Sequence, residues 1–486
     1  MEQPMPCIVG GVRETCGNTF EVRSPYDGSL VASVCRPGRH ECGEALARAA
    51  GACGEMATLP AYRRAEILSC LGRAIEDHSD ELADILVREV GKPRKFAEAE
   101  VMRAASTILL TAEEATRCEG DILPLDRDAA ADGRTGFLTR VPAGVVLGIT
   151  PFNFPLNLAC HKLGPAIAAG CPIVLKPSTA TPVATLLLGE MALDAGVPPA
   201  ALSVLPCTAE DAEWMAKDPR VAVLSFTGSP SVGWHLKRAT AARHVALELG
   251  GNAAVIVHSD APLEYAAERI VQGGYSNSGQ VCISTQRVLV HRPVYDHLCD
   301  MVVRRVAGLV TGDPADPATD VGPLISEWAA ETAEKKIRDA VGGGAELLCG
   351  GTREGRMVVP TVLGMATAGA AVCATELFAP AVVLLPYETW DEALAMAADT
   401  PYGLQAGIFT NDMDRIMEAV RCIPVGGLMV GDIPTFRTDA MPYGGVRLSG
   451  MGREGPRYAI REMTEEKLVV LNRHGLRRGT GEDRFI

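Results

Sequence analysis

The sequence predicts an α/β fold made of two successive doubly wound regions, and three observations carry that prediction. Short apolar runs recur along most of the chain, and several are continuous rather than alternating, as in parallel strands covered on both faces. Helix-like segments separate them, which is the rhythm of strand, crossover helix and parallel strand. The 486 residues leave room for about three domains and a sizeable core.

The first 35 residues read as short strands and turns (CIVGG, FEVRSPYDG, LVASVCRPG), brief β-branched runs punctuated by Gly, Pro and Asp-Gly. Residues 40–117 read as helices: Ala65, Ile67, Leu68, Leu71 and Ile75 recur at helical spacing, with breaks at Pro60 and Gly91-Lys92-Pro93. Residues 121–136 form a polar loop or hairpin arm. Strands are predicted at 145–150, 172–177, 202–206, 221–228 and 244–251. Past a compositional change near Gly250 and Gly251, further strands are predicted at 288–293, 382–386 and 426–431, with helices over 294–309 and 326–341. A last strand, 465–472, precedes a polar tail; a terminal strand needs a sheet to join, which another subunit can supply. The chain has no internal repeat.

Sixty acidic and 46 basic residues give a net charge of −14, a field that repels nucleic acid and anionic membranes. With 47% hydrophobic and 22% charged residues the composition is that of a globular chain, and no run of 18 apolar residues is present to span a bilayer. Fifteen cysteines without a CxxC pair or an N-terminal secretory pattern predict free thiols in a reducing cytoplasm. No metal site is expected.

Several residues then stand out for chemistry. Phe226-Thr227-Gly228-Ser229-Pro230-Ser231-Val232-Gly233 takes a strand into a helix start, where free N–H groups and the helix dipole suit an anion such as a pyrophosphate. Its GxxxxG spacing also fits an ordinary strand-to-helix turn, but Lys176 ends a neighbouring strand on the same sheet edge and adds a cation. Cys282, in the small polar stretch SNSGQVCIS, is the candidate nucleophile, whereas Cys70, Cys160 and Cys299 sit in apolar or helical company. Glu248, between apolar residues at a strand end, is either a general base raised by burial or a strand-terminal acid in water. Asn153, fixed between prolines and aromatics in PFNFP, fits an oxyanion donor as well as a turn former.

Taken together, PFNFP (151–155), LKPS (175–178), FTGS (226–229), LELGGN (247–252), GQVC (279–282), ELFAP (376–380) and YGGVRLSGMGREG (443–455) resemble, in order and over nearly the whole chain, the NAD(P)-dependent aldehyde dehydrogenases. That resemblance implies a Rossmann-like cofactor domain (1–120 with 137–249), a catalytic domain (250–430) and a small β oligomerisation element (121–136 with 465–486) building a homodimer or homotetramer. It implies Cys282 as nucleophile, Glu248 as general base and Asn153, with the Cys282 N–H, as oxyanion hole. NAD or NADP is implied along Ile149, Thr150, Pro151, Phe152, Lys176, Ser178, Thr179, Gly228, Ser229, Gly233 and Leu249, with Glu376 and Phe378 at the nicotinamide ribose and ring. Thr179 stands where NAD-selective relatives often carry Glu, so NADP is permitted.

The segment from Phe436 to Tyr443 looks like the branch containing lactaldehyde, phosphonoacetaldehyde and non-phosphorylating glyceraldehyde-3-phosphate dehydrogenases. The substrate implied is a small polar or anionic aldehyde, with Arg103, His161 and Arg437 on the tunnel wall; structural ion pairs explain the two arginines equally well. Val281 replaces the Arg that phosphate-handling relatives commonly carry before the nucleophile, which weakens an anion site beside the thiol. A semialdehyde or simple aliphatic aldehyde is the alternative substrate. Two further alternatives, a CoA-acylating enzyme and a non-catalytic relative, are disfavoured by Glu248 and by the intact set of reactive residue types.

Overall fold

A computed structural model describes residues 3–117 and 120–475 of the chain. Its first sheet has eight strands in the order Val12–Glu14, Cys7–Val9, Leu202–Val204, Ile173–Lys176, Val145–Ile149, Val221–Thr227, His244–Glu248 and Gly450–Met451. The five strands from Leu202–Val204 to His244–Glu248 run parallel, and antiparallel strands close both edges. Every residue of Val145–Ile149 and Val221–Thr227 is buried, as continuous apolar strands require when helices cover both faces. The chain lays down Val145–Ile149, moves outward twice, then returns to its other side for Val221–Thr227. At that reversal of strand order, a crevice opens beyond the carboxyl ends of the two strands.

Helices Arg39–Thr58, Ala61–Asp77, Ser79–Val90 and Arg94–Ala115 occupy the stretch predicted helical. Gly91 ends the third at φ +73°, a left-handed cap that glycine adopts without strain, and Pro93 opens the fourth. Pro155 begins a helix, Pro155–Ala169, all of whose residues are buried. Asn153 therefore lies just before the start of a helix locked into the core.

The strand predicted over 244–251 stops at Glu248, and Leu249–Asn252 carries the chain to a second sheet. That sheet is ordered Glu346–Cys349, Thr361–Gly364, Ala381–Tyr387, Thr285–His291, Ala253–Val257, Gln405–Phe409 and Gly427–Val430, parallel except at its first strand. Four of these strands are missing from the sequence reading. Ala253–Val257, Thr361–Gly364 and Gln405–Phe409 carry Ala or Gly that dilutes the strand signal, and Glu346–Cys349 is short.

A third sheet pairs Thr464–Asn472 along its whole length with Arg134–Pro142, and Ile122–Leu123 flanks the latter. The terminal strand thus finds its partner within its own chain, and the arm runs on to Pro142, beyond the 121–136 expected. Part of the tail expected in the oligomerisation element, 476–486, lies outside the described residues. No helix among the described residues is long and apolar enough to cross a membrane.

Candidate active site

The carboxyl ends of the first sheet and the loops leading into the second line one cavity of about 1130 Å³. Asn153, Glu248 and Cys282 all face it, and Cys282 is the one cysteine on its wall among the described residues.

The loop bearing Cys282 is wound against the usual backbone preference. Asn277, Ser278 and Gly279 take φ of +50°, +57° and +71° in succession. A left-handed run with two non-glycine residues costs on the order of 1–2 kcal/mol per residue and needs outside support. Ser278 Oγ supplies it by donating to the Gly322 carbonyl and accepting from the Gly322 N–H, both at 3.0 Å. Gln280 Oε1 accepts from the Ile325 N–H at 3.0 Å. At Gly279 nothing but glycine fits: a Cβ there would stand 2.1 Å from the Ala379 carbonyl oxygen.

This turn leaves the Cys282 N–H without a protein acceptor among the described residues. Asn153 Nδ2 donates one hydrogen to the Gln280 carbonyl at 2.9 Å, which aims the amide and leaves its second hydrogen free. Two donors, one on the Cys282 loop and one hydrogen-bonded to that loop, are thereby left free. Cys282 Sγ lies 2.9 Å from the Tyr443 hydroxyl. Desolvation pushes the thiol up to about 11, against the pull of the Tyr443 hydrogen bond and the Arg437 charge.

Glu248 is 3% exposed, and neither carboxyl oxygen has a hydrogen-bond partner. Burial, with the nearby Glu454 charge, raises its pKa well above the carboxylate range; Arg437 and Lys162 oppose that only in part. These cations are engaged elsewhere. Arg437 donates to Glu454 at 3.1 Å, and Lys162, which donates to Ser225 and Thr227 at 3.0 and 2.8 Å, stands 3.7 Å from Glu454. Burial alone would raise Glu454, but Lys162, His161 and Arg437 hold it down to about 2.

Toward the first sheet, Ile149, Thr150, Pro151, Phe152, Lys176, Ser178, Gly228, Ser229 and Leu249 line the cavity. Ser229 precedes helix Pro230–Ala239, whose N-terminal Pro leaves the Ser231 and Val232 N–H groups without helical acceptors. Lys176 Nζ has no partner among the described residues, and burial lowers its pKa. An unpaired cation beside a helix start fits a dinucleotide's ribose and pyrophosphate. Gly233 and Thr179 are not on the wall. Gly233 instead lets the helix approach Leu249, since a Cβ there would stand 2.4 Å from its Cδ2. Glu376 Oε1 accepts from the Gly251 N–H at 3.1 Å, and desolvation pushes its carboxyl up to about 7. Phe378 meets Phe152 edge to face at 5.9 Å.

Of the three residues expected to hold substrate, Arg103 and Arg437 are ion-paired and His161 is hydrogen-bonded to Asp439. Arg103 gives Nε and Nη2 to Asp439 at 3.1 and 2.7 Å, and Arg437 lies 3.7 Å above the Tyr443 ring; both still border the cavity. His161 does not. Its side chain is fully enclosed behind Arg437, 2.9 Å from Asp439, because it projects from a helix buried on every side. The sequence reading also lacks Lys162, Tyr443, Glu454 and Asp439. A lysine inside the otherwise apolar PLNLACHKLGPAIAA was the available signal for a buried, paired cation.

A sequence profile of the aldehyde dehydrogenase family matches residues 12–469. The 3-sulfolactaldehyde dehydrogenase of Priestia aryabhattai is 43% identical over 465 residues, spanning 96% of this chain and 97% of that protein. Aldehyde dehydrogenase 21 from Physcomitrella patens, solved in complex with the reaction product succinate, is similar with a TM-score of 0.95 and 38% identity, covering 98% of this chain and 99% of that one. Glyceraldehyde-3-phosphate dehydrogenase GapN from Methanocaldococcus jannaschii, complexed with NADP, gives a TM-score of 0.90 at 35% identity over 94% of this chain and 100% of that one.

Replacing Gly279 by Ala is expected to destabilise the chain by about 1–3 kcal/mol and to alter the alkylation rate of Cys282. Gly342→Ala, where a Cβ meets nothing within 4 Å, is the control. Peptide mass spectrometry after iodoacetamide treatment reads the rate, and identical kinetics in both variants would contradict the role given to the turn.

Proposed function

The chain belongs to the aldehyde dehydrogenase family and oxidises small aldehydes with NAD or NADP as acceptor, and from that premise we propose that it converts a small anionic or hydroxylated aldehyde to the free acid through Cys282. The observation that carries the free acid as product is Glu248, a buried carboxyl without a hydrogen-bond partner on the same cavity as the thiol.

The Cys282 thiol gives its proton to water in the cavity as sulfur attacks the aldehyde carbon, and the carbonyl π pair moves to oxygen. That oxyanion accepts from the free Asn153 Nδ2 hydrogen and from the Cys282 N–H, donors of a kind whose loss typically costs about 10²- to 10³-fold in rate. Bound NAD or NADP supplies a hydride acceptor, which leaves a thioester on Cys282. Glu248 then takes a proton from water, whose oxygen attacks the thioester carbon as the C–S bond breaks. Gly444 keeps this place open, since a Cβ there would stand 2.9 Å from Glu248 Oε1.

For the cofactor, Lys176, Ser178 and the Gly228–Ser229 turn are assigned to the ribose and pyrophosphate, Glu376 and Phe378 to the nicotinamide end. The first sheet then serves as the cofactor domain and the second presents the nucleophile. The terminal strand exposes Leu468, Val470 and Leu471, and its open edge supports a homodimer or homotetramer built on the third sheet. Free thiols at all fourteen described cysteines support a reducing, cytoplasmic setting.

Arg437 is the anchor assigned to the substrate's anionic group. Its Nε is buried without a partner, whereas Arg103 is already matched by Asp439 in a two-pronged pair. Relatives named for sulfolactaldehyde or solved with succinate support an anionic substrate.

Glu248→Gln is expected to preserve the first turnover's burst of reduced cofactor while slowing steady turnover; equal loss of both would count against the base assignment. A base must lose its proton to act, and the Glu248 pKa lies above the carboxylate range. Wild-type deacylation should therefore rise with pH on a limb that Glu248→Gln removes. Arg437→Gln is expected to lower kcat/KM for succinic semialdehyde and other anionic aldehydes about 10- to 100-fold more than for propanal. Parallel losses for charged and uncharged aldehydes would refute the anchor.

A further inference from the structure

Beyond the groups that touch substrate, we propose that Lys92 is a positioning residue for the reaction, fixing Asn153 through its main chain. The proposal rests on the reading of Asn153 as oxyanion donor.

Lys92 is fully enclosed, with no exposed side-chain surface, although it lies in a connection between two helices. Its Nζ forms an ion pair with Glu100, equally enclosed, and donates to the Asn153 carbonyl at 2.8 Å. It also sits 3.8 Å from the centre of the Phe154 ring. Glu100 Oε1 in turn accepts from the Leu156 and Asn157 N–H groups at 3.0 and 3.2 Å, the first turn of the helix that follows Asn153. The same Asn153 carbonyl accepts from Asn277 Nδ2 at 3.3 Å, which ties it to the Cys282 loop.

One ammonium and its carboxylate thus hold the peptide unit before the helix, the aromatic ring beside it and the helix start. Burying an ion pair costs desolvation that apolar packing would avoid, so its worth lies in geometry rather than stability. The geometry fixed here is the origin of the Asn153 side chain, whose free Nδ2 hydrogen must meet the oxyanion. A shift of about 1 Å at such a donor costs up to roughly 100-fold in rate.

The test is a double-mutant cycle. Lys92→Met and Lys92→Met/Glu100→Gln, the second leaving no uncompensated buried charge, are each made in wild-type and Asn153→Ala backgrounds. Three quantities are read: single-turnover formation of reduced cofactor, KM for the aldehyde, and the cofactor dissociation constant from quenching of protein fluorescence. Expected is a drop of about 10- to 100-fold in the single-turnover rate, with KM and cofactor affinity within about twofold. In the Asn153→Ala background the Lys92 change should have no further effect. The same fold-loss in both backgrounds, or a parallel fall in cofactor affinity, would mean that Lys92 acts on the fold at large and would overturn the proposal. A rate lost in Asn153→Ala but kept in the Lys92 variants overturns the positioning role alone, whereas a full rate in Asn153→Ala overturns the oxyanion assignment and the proposal with it. If Lys92→Met alone does not fold, the neutral pair variant decides the same question.

Discussion

Glu248 on the cavity wall and Glu454 near it are both buried carboxyl groups, and the neighbouring cations are given to only one of them. Glu454 is flanked by Arg437 and Lys162 and stays ionised down to about pH 2. Glu248, equally buried, has neither oxygen hydrogen-bonded and its pKa rises well above the carboxylate range. Their environments push two like groups apart, which is what the proposed use of Glu248 as a base requires. Much of the surrounding network serves this partition. Arg437 stacks on Tyr443, whose hydroxyl reaches Cys282. Tyr443 and Glu454 are locked together by reciprocal main-chain hydrogen bonds of 3.0 and 2.7 Å.

The fold brings these groups together by simple topology. Glu248 closes the strand His244–Glu248, and five residues later the chain has entered the second sheet, whose flanking loop carries Cys282. Glu248 and Cys282 come from the two sides of that crossing, so neither sheet alone holds both. Glycines keep the crossing narrow. A Cβ on Gly250 would stand 2.3 Å from Glu376 Oε2, and one on Gly251 would stand 2.5 Å from the Cys282 carbonyl oxygen.

The legible parts of the sequence were those with local signals. Continuous apolar runs located the parallel strands of the first sheet, and Pro230 marked a helix start that now borders the cavity. Cys282 stood out by its polar, turn-forming neighbours. Harder to see were contacts made across long sequence separations: Asp439 meets Arg103 and His161, Glu454 meets Lys162, and Lys92 meets Asn153. Each is a pairing that only the packed helix Pro155–Ala169 and the loops around it create. His161 was placed on the tunnel wall for that reason, since its sequence position cannot tell which side of a wholly buried helix faces the cavity. The cation pairing that distinguishes Glu454 from Glu248 likewise exists only in the folded chain.

In the proposed mechanism, carbon is held covalently on Cys282 until Glu248 releases it. The most direct measurement is rapid acid quench of the Glu248→Gln variant with cofactor and aldehyde, followed by peptide mass spectrometry. An acyl mass on the peptide containing Cys282, accumulating as the reduced cofactor forms, is the result expected. Reduced cofactor formed in stoichiometric amount with Cys282 unmodified, or with the acyl group on another cysteine, would contradict it.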